Sequence, residues 1–192
     1  MLTRWGKVAS SILRSGTNIY SPVFDFASSP NIATGSFKDV TGTAYFFAPY
    51  PSGSVNLNSL STSLTSAGII VGSGTTTPTV DDYSLESMIT SGITGSIPAN
   101  PTYTFDSTNN QYVVSKDITI ANTGSEAITI SEIGILGKVY YGASKGATVG
   151  TTNKYVLIDR TVLNEAVTIP AGESGVVRYE IRYDCDFTKP ET

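Results

Sequence analysis

Between Val177 and Tyr183 every second residue is apolar: Val177, Tyr179, Ile181 and Tyr183 alternate with Arg178, Glu180 and Arg182. Successive side chains of an extended strand point to opposite faces, so this period of two sets an apolar face against a core and a charged face towards water. The alternation recurs from Tyr112 to Ala121, where Tyr112, Val114, Ile118 and Ile120 fall on one face and Ser115, Asp117 and Thr119 on the other. The four residues Asn122, Thr123, Gly124 and Ser125 have turn composition. Ile128 and Ile130 resume the pattern, but Ile133 and Ile135 are one position out of phase. A slip of one residue would send the later isoleucines to the wrong face, so a β-bulge is predicted near Ser131 and Glu132.

The remaining elements are shorter. Ile69, Ile70 and Val71 form an apolar run between Gly68 and Gly72, which reads as a buried strand closed by a turn at Ser73 and Gly74. Tyr45, Phe46, Phe47 and Ala48 suit a short strand ended by Pro49 and Pro51. Further strands are predicted at 155–159 and 166–169, with a turn at 170–173 and a long glycine-containing loop over 140–153. Asp81 or Asp82 is placed to cap one short helical turn in which Leu85, Met88 and Ile89 share a face. Near the amino terminus Leu2, Trp5, Val8, Ile12 and Leu13 recur at spacings of three and four, the apolar stripe of an arm that must lie against its own domain, a neighbouring subunit or a membrane surface. Several short strands joined by frequent turns describe an all-β chain. The expected fold is an antiparallel β-sandwich over 31–187 with a short N-terminal helical or extended arm over 1–30 and a C-terminal tail over 188–192.

Composition narrows the functions such a fold can carry. Its 192 residues suit one domain. Charged residues are 15 % of the chain, against roughly 25 % in ordinary soluble domains. The surface is therefore neutral and hydroxyl-rich, which fits either an extracellular coat or a subunit partly covered by partners. A net charge of −4 with only 12 scattered Lys and Arg argues against nucleic acid as partner. The chain has no histidine, which removes the commonest general base and metal ligand. The lone Cys185 excludes an internal disulfide and cysteine-cluster zinc sites, and favours folding in a reducing cytoplasm. No apolar run has signal-peptide length, and none approaches the roughly 20 residues that span a bilayer, so no membrane partner is expected.

The catalytic raw material reduces to two carboxylate pairs, Asp81 with Asp82 and Asp184 with Asp186, which suit a hard cation or acid–base work in principle but read more simply as solvated turn residues. Gly72-Ser73-Gly74 is superficially like a dinucleotide-binding turn, yet Thr75, Thr76, Thr77 and Pro78 follow it where a helix would have to open. No nucleophile elbow with an activating base is present. The expectation is a protein that is not an enzyme, with no catalytic residue, cofactor or metal ligand assigned. Tyr103, Tyr140, Tyr141 and Tyr155 flank loops and suit a sugar face as well as a protein contact.

Three segments carry a family likeness: GIIVGSGTTTPTVDDYSLE at 68–86, ITIANTGSEAITISEIGI at 118–135, and DRTVL at 159–163 leading into VTIPAGES at 167–174. Together they resemble structural proteins of tailed bacteriophages. The resemblance implies a virion component of the tail, the head-to-tail connection or the capsid decoration, made in the host cytoplasm and present in several symmetric copies. Its partners would be copies of itself and other virion proteins. The arm residues Leu2, Trp5, Val8, Ile12 and Leu13 would form the protein interface, with Trp5 as the anchor. The alternative is a carbohydrate-binding or host-adhesion module whose partner is a host-surface glycan.

Overall fold

A computed structural model of the chain describes residues 36–46, 52–55, 58–98, 100–141 and 152–184. Its strands are β1 (Ser36–Lys38), β2 (Ala44–Phe46), β3 (Ser52–Val55), β4 (Gly68–Gly72), β5 (Ile93–Ser96), β6 (Thr102–Asp106), β7 (Gln111–Asn122), β8 (Ile128–Tyr141), β9 (Thr152–Ile169) and β10 (Ser174–Asp184), with no helix among the described residues. In one sheet β10 pairs with β7, whose other side takes β5 at one end and β6 at the other. In the second sheet β9 pairs with β8, whose other side takes β3 and β4. β1 and β2 form a separate hairpin, and every strand pair is antiparallel. The chain is thus all-β, with the two facing sheets expected of a sandwich.

The core between the sheets is built from β-branched residues, which fit a pleated and half-buried surface. Ile69 and Val71 of β4, Ile130 and Ile133 of β8 and Ile169 of β9 meet Ile93 of β5, Ile118 and Ile120 of β7 and Val177 of β10. Each such side chain, fully buried, contributes about 1.5–3 kcal/mol. The predicted bulge is present. Ile130 lies opposite Val167 and Glu132 opposite Val162, so Ser131 of β8 faces Leu163, Asn164, Glu165 and Ala166 of β9. This irregularity lets Ile130 and Ile133 both reach the core while Glu132 turns to the other side of the sheet.

That other side is covered as well. Ile70, Leu136 and Leu157 pack there with Val40 from the β1–β2 turn and Leu85 from the segment after β4, joined by Met88 and Tyr155. The covering segment is pinned by the Glu132 carboxylate, which is fully buried. Its Oε1 accepts from the backbone N–H of Gly74 at 3.1 Å and of Ser87 at 2.8 Å. Its Oε2 accepts from the N–H of Glu86 at 3.2 Å and from Arg160 Nε at 2.8 Å. Arg160 then reaches Asp82 Oδ2 at 2.7 Å and the Thr76 carbonyl at 3.2 Å. The glycines make room for this arrangement: a Cβ on Gly72 would lie 2.5 Å from both Glu132 Oε1 and the Ser87 carbonyl, and one on Gly74 would lie 2.6 Å from Glu132 Oε1.

Four expectations change. The helical turn near Asp82 is absent: the N–H groups of Glu86 and Ser87 donate to Glu132 and that of Ile89 donates to the Val71 carbonyl at 2.9 Å, so these three are not used for helical bonding. Leu85 and Met88 face the outer cluster, whereas Ile89 joins the inner one. The two strands expected at 155–159 and 166–169 are one strand, β9: Arg160, Thr161 and Val162 pair with Gly134, Ile133 and Glu132, and Leu163, Asn164, Glu165 and Ala166 form its excursion opposite Ser131. Tyr140 and Tyr141 belong to β8 rather than to the loop that follows. The arm residues Leu2, Trp5, Val8, Ile12 and Leu13, together with Cys185, Asp186, Phe47 and Ala48, lie outside the described residues.

Arg160→Met should cost about 3–5 kcal/mol in a urea unfolding experiment, since it leaves the Glu132 carboxylate buried without its cation. The network also carries a pH dependence through Asp82. Burial acts to raise its pKa, but the hydrogen bonds from Thr79 and Arg160 outweigh this and bring it below the ordinary 3.8. A depressed carboxylate contributes stability that is complete above its unfolded pKa and is lost as pH falls through the folded value. Unfolding midpoints should therefore fall below about pH 4 in the wild type, and less steeply in Asp82→Asn.

Candidate functional site

The face of β7 that meets the core continues along the strand past the point where the second sheet covers it. Residues directly opposite one another in an antiparallel pair share a face. β7 sets Ile118 opposite Val177, Lys116 opposite Tyr179, Val114 opposite Ile181 and Tyr103, and Tyr112 opposite Tyr183 and Phe105. One face therefore carries Ile118 and Ile120 at its covered end, then Lys116 and Tyr179, then Val114, Ile181, Tyr103, Tyr112 and Phe105.

Lys116 and Tyr179 mark the boundary. Lys116 is buried, and its ammonium donates to Asn58 Oδ1 and to the Pro98 carbonyl, the latter at 3.1 Å. Burial pushes the Lys116 pKa down. Beside it the Tyr179 hydroxyl donates to Asp159 Oδ2 at 2.6 Å, tying β10 to β9 across the sandwich. These polar pairs close the core, because buried donors and acceptors must find partners.

Beyond that boundary Tyr103, Phe105 and Tyr112 are 51 %, 56 % and 42 % exposed. The Tyr103 and Tyr112 rings lie 6.1 Å apart between centroids, tilted by 33°. The β6–β7 turn next to them is held rigid by Asp106, which accepts from the N–H groups of Thr108 at 3.1 Å and Asn109 at 3.2 Å, from Asn109 Nδ2 at 2.9 Å and from Arg182 Nη1 at 3.2 Å. The result is an exposed aromatic strip on one face of the sheet, with Asp106 and Arg182 on the opposite face. Such a strip is suited to non-covalent contact: large rings supply area at low entropic cost.

The residues singled out in the sequence distribute differently. Of the four tyrosines, Tyr103 belongs to the strip, and Tyr155 packs half-buried against the outer cluster of the second sheet. Tyr140 and Tyr141 are in β8, with side chains outside the description. Asp82 is engaged by Thr79 and Arg160. Among the described residues no group of three or more His, Cys, Asp and Glu side chains is placed to hold a metal ion. Where Glu132, Asp82 and Glu86 converge, the Arg160 guanidinium fills the place of a cation. Gly72 and Gly74 serve the approach of Glu132. Phe105 was not singled out by sequence pattern, and Tyr112 was expected on the half-buried face. The strand does carry Tyr112 on that face, but at its uncovered end.

No protein-family model, curated protein or solved structure matches the chain.

Residues on one strand face should respond oppositely according to their position relative to the boundary. Ile118→Ala should cost about 2–5 kcal/mol of stability. Phe105→Ser and Tyr112→Ser should each stay within about 0.5 kcal/mol of the wild type in the same urea titration.

Proposed function

We propose that the chain is a non-enzymatic structural subunit of a tailed-phage virion, belonging to the tail, the head-to-tail connection or the capsid decoration, and that it assembles through contacts with copies of itself and with other virion proteins. The observation that carries the assembly part is the strip of Tyr103, Phe105 and Tyr112, an extension of the core face left exposed. Contiguous apolar surface on a chain with few charges is what a protein-binding face requires. The phage part rests on the likeness of the three sequence segments at 68–86, 118–135 and 159–174. In this reading the N-terminal arm is a second contact, with Trp5 as its anchor.

A second reading has its own support. Tyr103 and Tyr112 set two exposed rings 6.1 Å apart on one face of the sheet, the aromatic part of a sugar platform on a host-adhesion module.

Particles purified from cells producing the phage should contain the chain by mass spectrometry. A Tyr103→Ser, Phe105→Ser, Tyr112→Ser variant should be folded by circular dichroism yet missing from those particles. Incorporation at the wild-type level would defeat the proposal for the strip, and unchanged incorporation after deletion of residues 1–13 would defeat that for the arm. A monomer that binds glycans on an array, and loses them in Tyr112→Ala, would instead establish the adhesion reading.

A further inference from the structure

Among the described residues β10 stands at the end of its sheet's strand order, paired with β7 along the whole of Ser174–Asp184 without a register shift. Alternate residues of an edge strand direct their N–H and C=O groups away from the sheet, which makes an edge a template for another strand. Proteins that must keep such an edge single place prolines, bulges or charges on it, or cover it. β10 has no proline and no bulge, its inward face carries Val177, Tyr179 and Ile181, and its charges stand on the outward face, where their signs decide which strand can pair beside it.

Its charges follow a particular pattern. Arg178, Glu180 and Arg182 share the outward face, so their signs alternate along the strand. Arg178 is oriented by two bonds to Asp117, at 2.6 Å and 2.9 Å, and Arg182 by Glu180 at 2.6 Å. Val176 stands on the same face and is 56 % exposed.

An antiparallel pair of identical strands is related by a twofold axis, so the residue on the axis fixes every other pairing. Centring on Arg178 or on Glu180 opposes like charges, Arg178 to Arg178 or Glu180 to Glu180. A register displaced by a single residue sets the charged face of one copy beside the apolar face of the other. Centring on Tyr179 opposes Arg178 to Glu180 twice, sets Val177 against Ile181 twice, and lays the aliphatic stem of Arg182 over Val176. Centring on Ile181 also matches charges, but it pairs only 178–184, whereas the Tyr179 register uses all 11 residues of the strand.

We infer that β10 pairs antiparallel with β10 of a second copy of this chain, in the register that sets Tyr179 opposite Tyr179, to give one sheet continuous across two subunits. The inference names the self-contact of the assembly reading and rests on that reading for its setting.

Analytical ultracentrifugation of the full chain over a concentration series tests it. The wild type should be dimeric. Glu180→Arg makes positions 178, 180 and 182 all positive, and Arg178→Glu with Arg182→Glu makes them all negative. Each variant alone should self-associate roughly ten- to hundredfold more weakly, since both central pairs become repulsive. An equimolar mixture of the two should recover association close to the wild-type level, and this recovery also shows that both variants are folded. A wild-type oligomer indifferent to these charges would overturn the β10 register and leave self-assembly by another surface standing. A wild type that stays monomeric but still enters particles would overturn the self-pairing alone. A wild type that neither associates nor enters particles would remove this inference and the virion reading together.

Discussion

The buried Glu132 carboxylate is the point at which the second sheet, its bulge and the segment after β4 become one structure. An isolated carboxylate at that depth would be strongly unfavourable, and it is tolerated because three backbone N–H groups and the Arg160 guanidinium surround it. The bulge makes this possible. By setting Ser131 alone against Leu163, Asn164, Glu165 and Ala166 of β9, it keeps the isoleucines on the core side and turns the carboxylate outward. Glu132 then fixes the segment that carries Leu85 and Met88, which closes the outer face of the second sheet. That sheet is covered on both sides for much of its length, so the open surface passes to the other sheet.

The bulge itself was legible because it leaves a trace in one dimension: the isoleucines change phase between Ile130 and Ile133. Strands β4, β7 and β10 were legible for the same reason, as period-two patterns and an apolar run report burial directly. The covering segment was not. Asp82, Leu85, Met88 and Ile89 have helical spacing, yet the N–H groups of Glu86 and Ser87 between them are captured by a residue more than forty positions later, Glu132, and local spacing contains no information about such a partner. The continuity of β9 was hidden for a related reason, since the stretch 160–165, with Arg160, Thr161, Asn164 and Glu165, looks like a break when its pairing partner is unknown. The strip was half legible. Alternation correctly places Tyr112 and Val114 on the core face, but where the covering sheet stops depends on tertiary lengths that alternation does not encode. The arm, read from the spacing of Leu2, Trp5, Val8, Ile12 and Leu13, stands on sequence alone.

The uncovered strip and the β10 edge belong to one sheet but make different demands on a partner. The strip offers ring area on a face, and an edge offers backbone groups in a line. The strip sits at the end of the sheet formed by 111–115 and 180–184, and the edge runs from there to Ser174, so a partner approaching that end would meet both. Self-pairing through β10 separates them. A twofold through Tyr179 runs the two copies of β10 in opposite directions, so the Tyr112 end of one copy lies far from the Tyr112 end of the other. The shared edge is consumed in the middle of the combined sheet, while the two strips remain at its opposite ends on the same side. Self-association in this register therefore leaves each aromatic strip open for a second and different contact, and a subunit with those two independent surfaces can extend an assembly as well as join one.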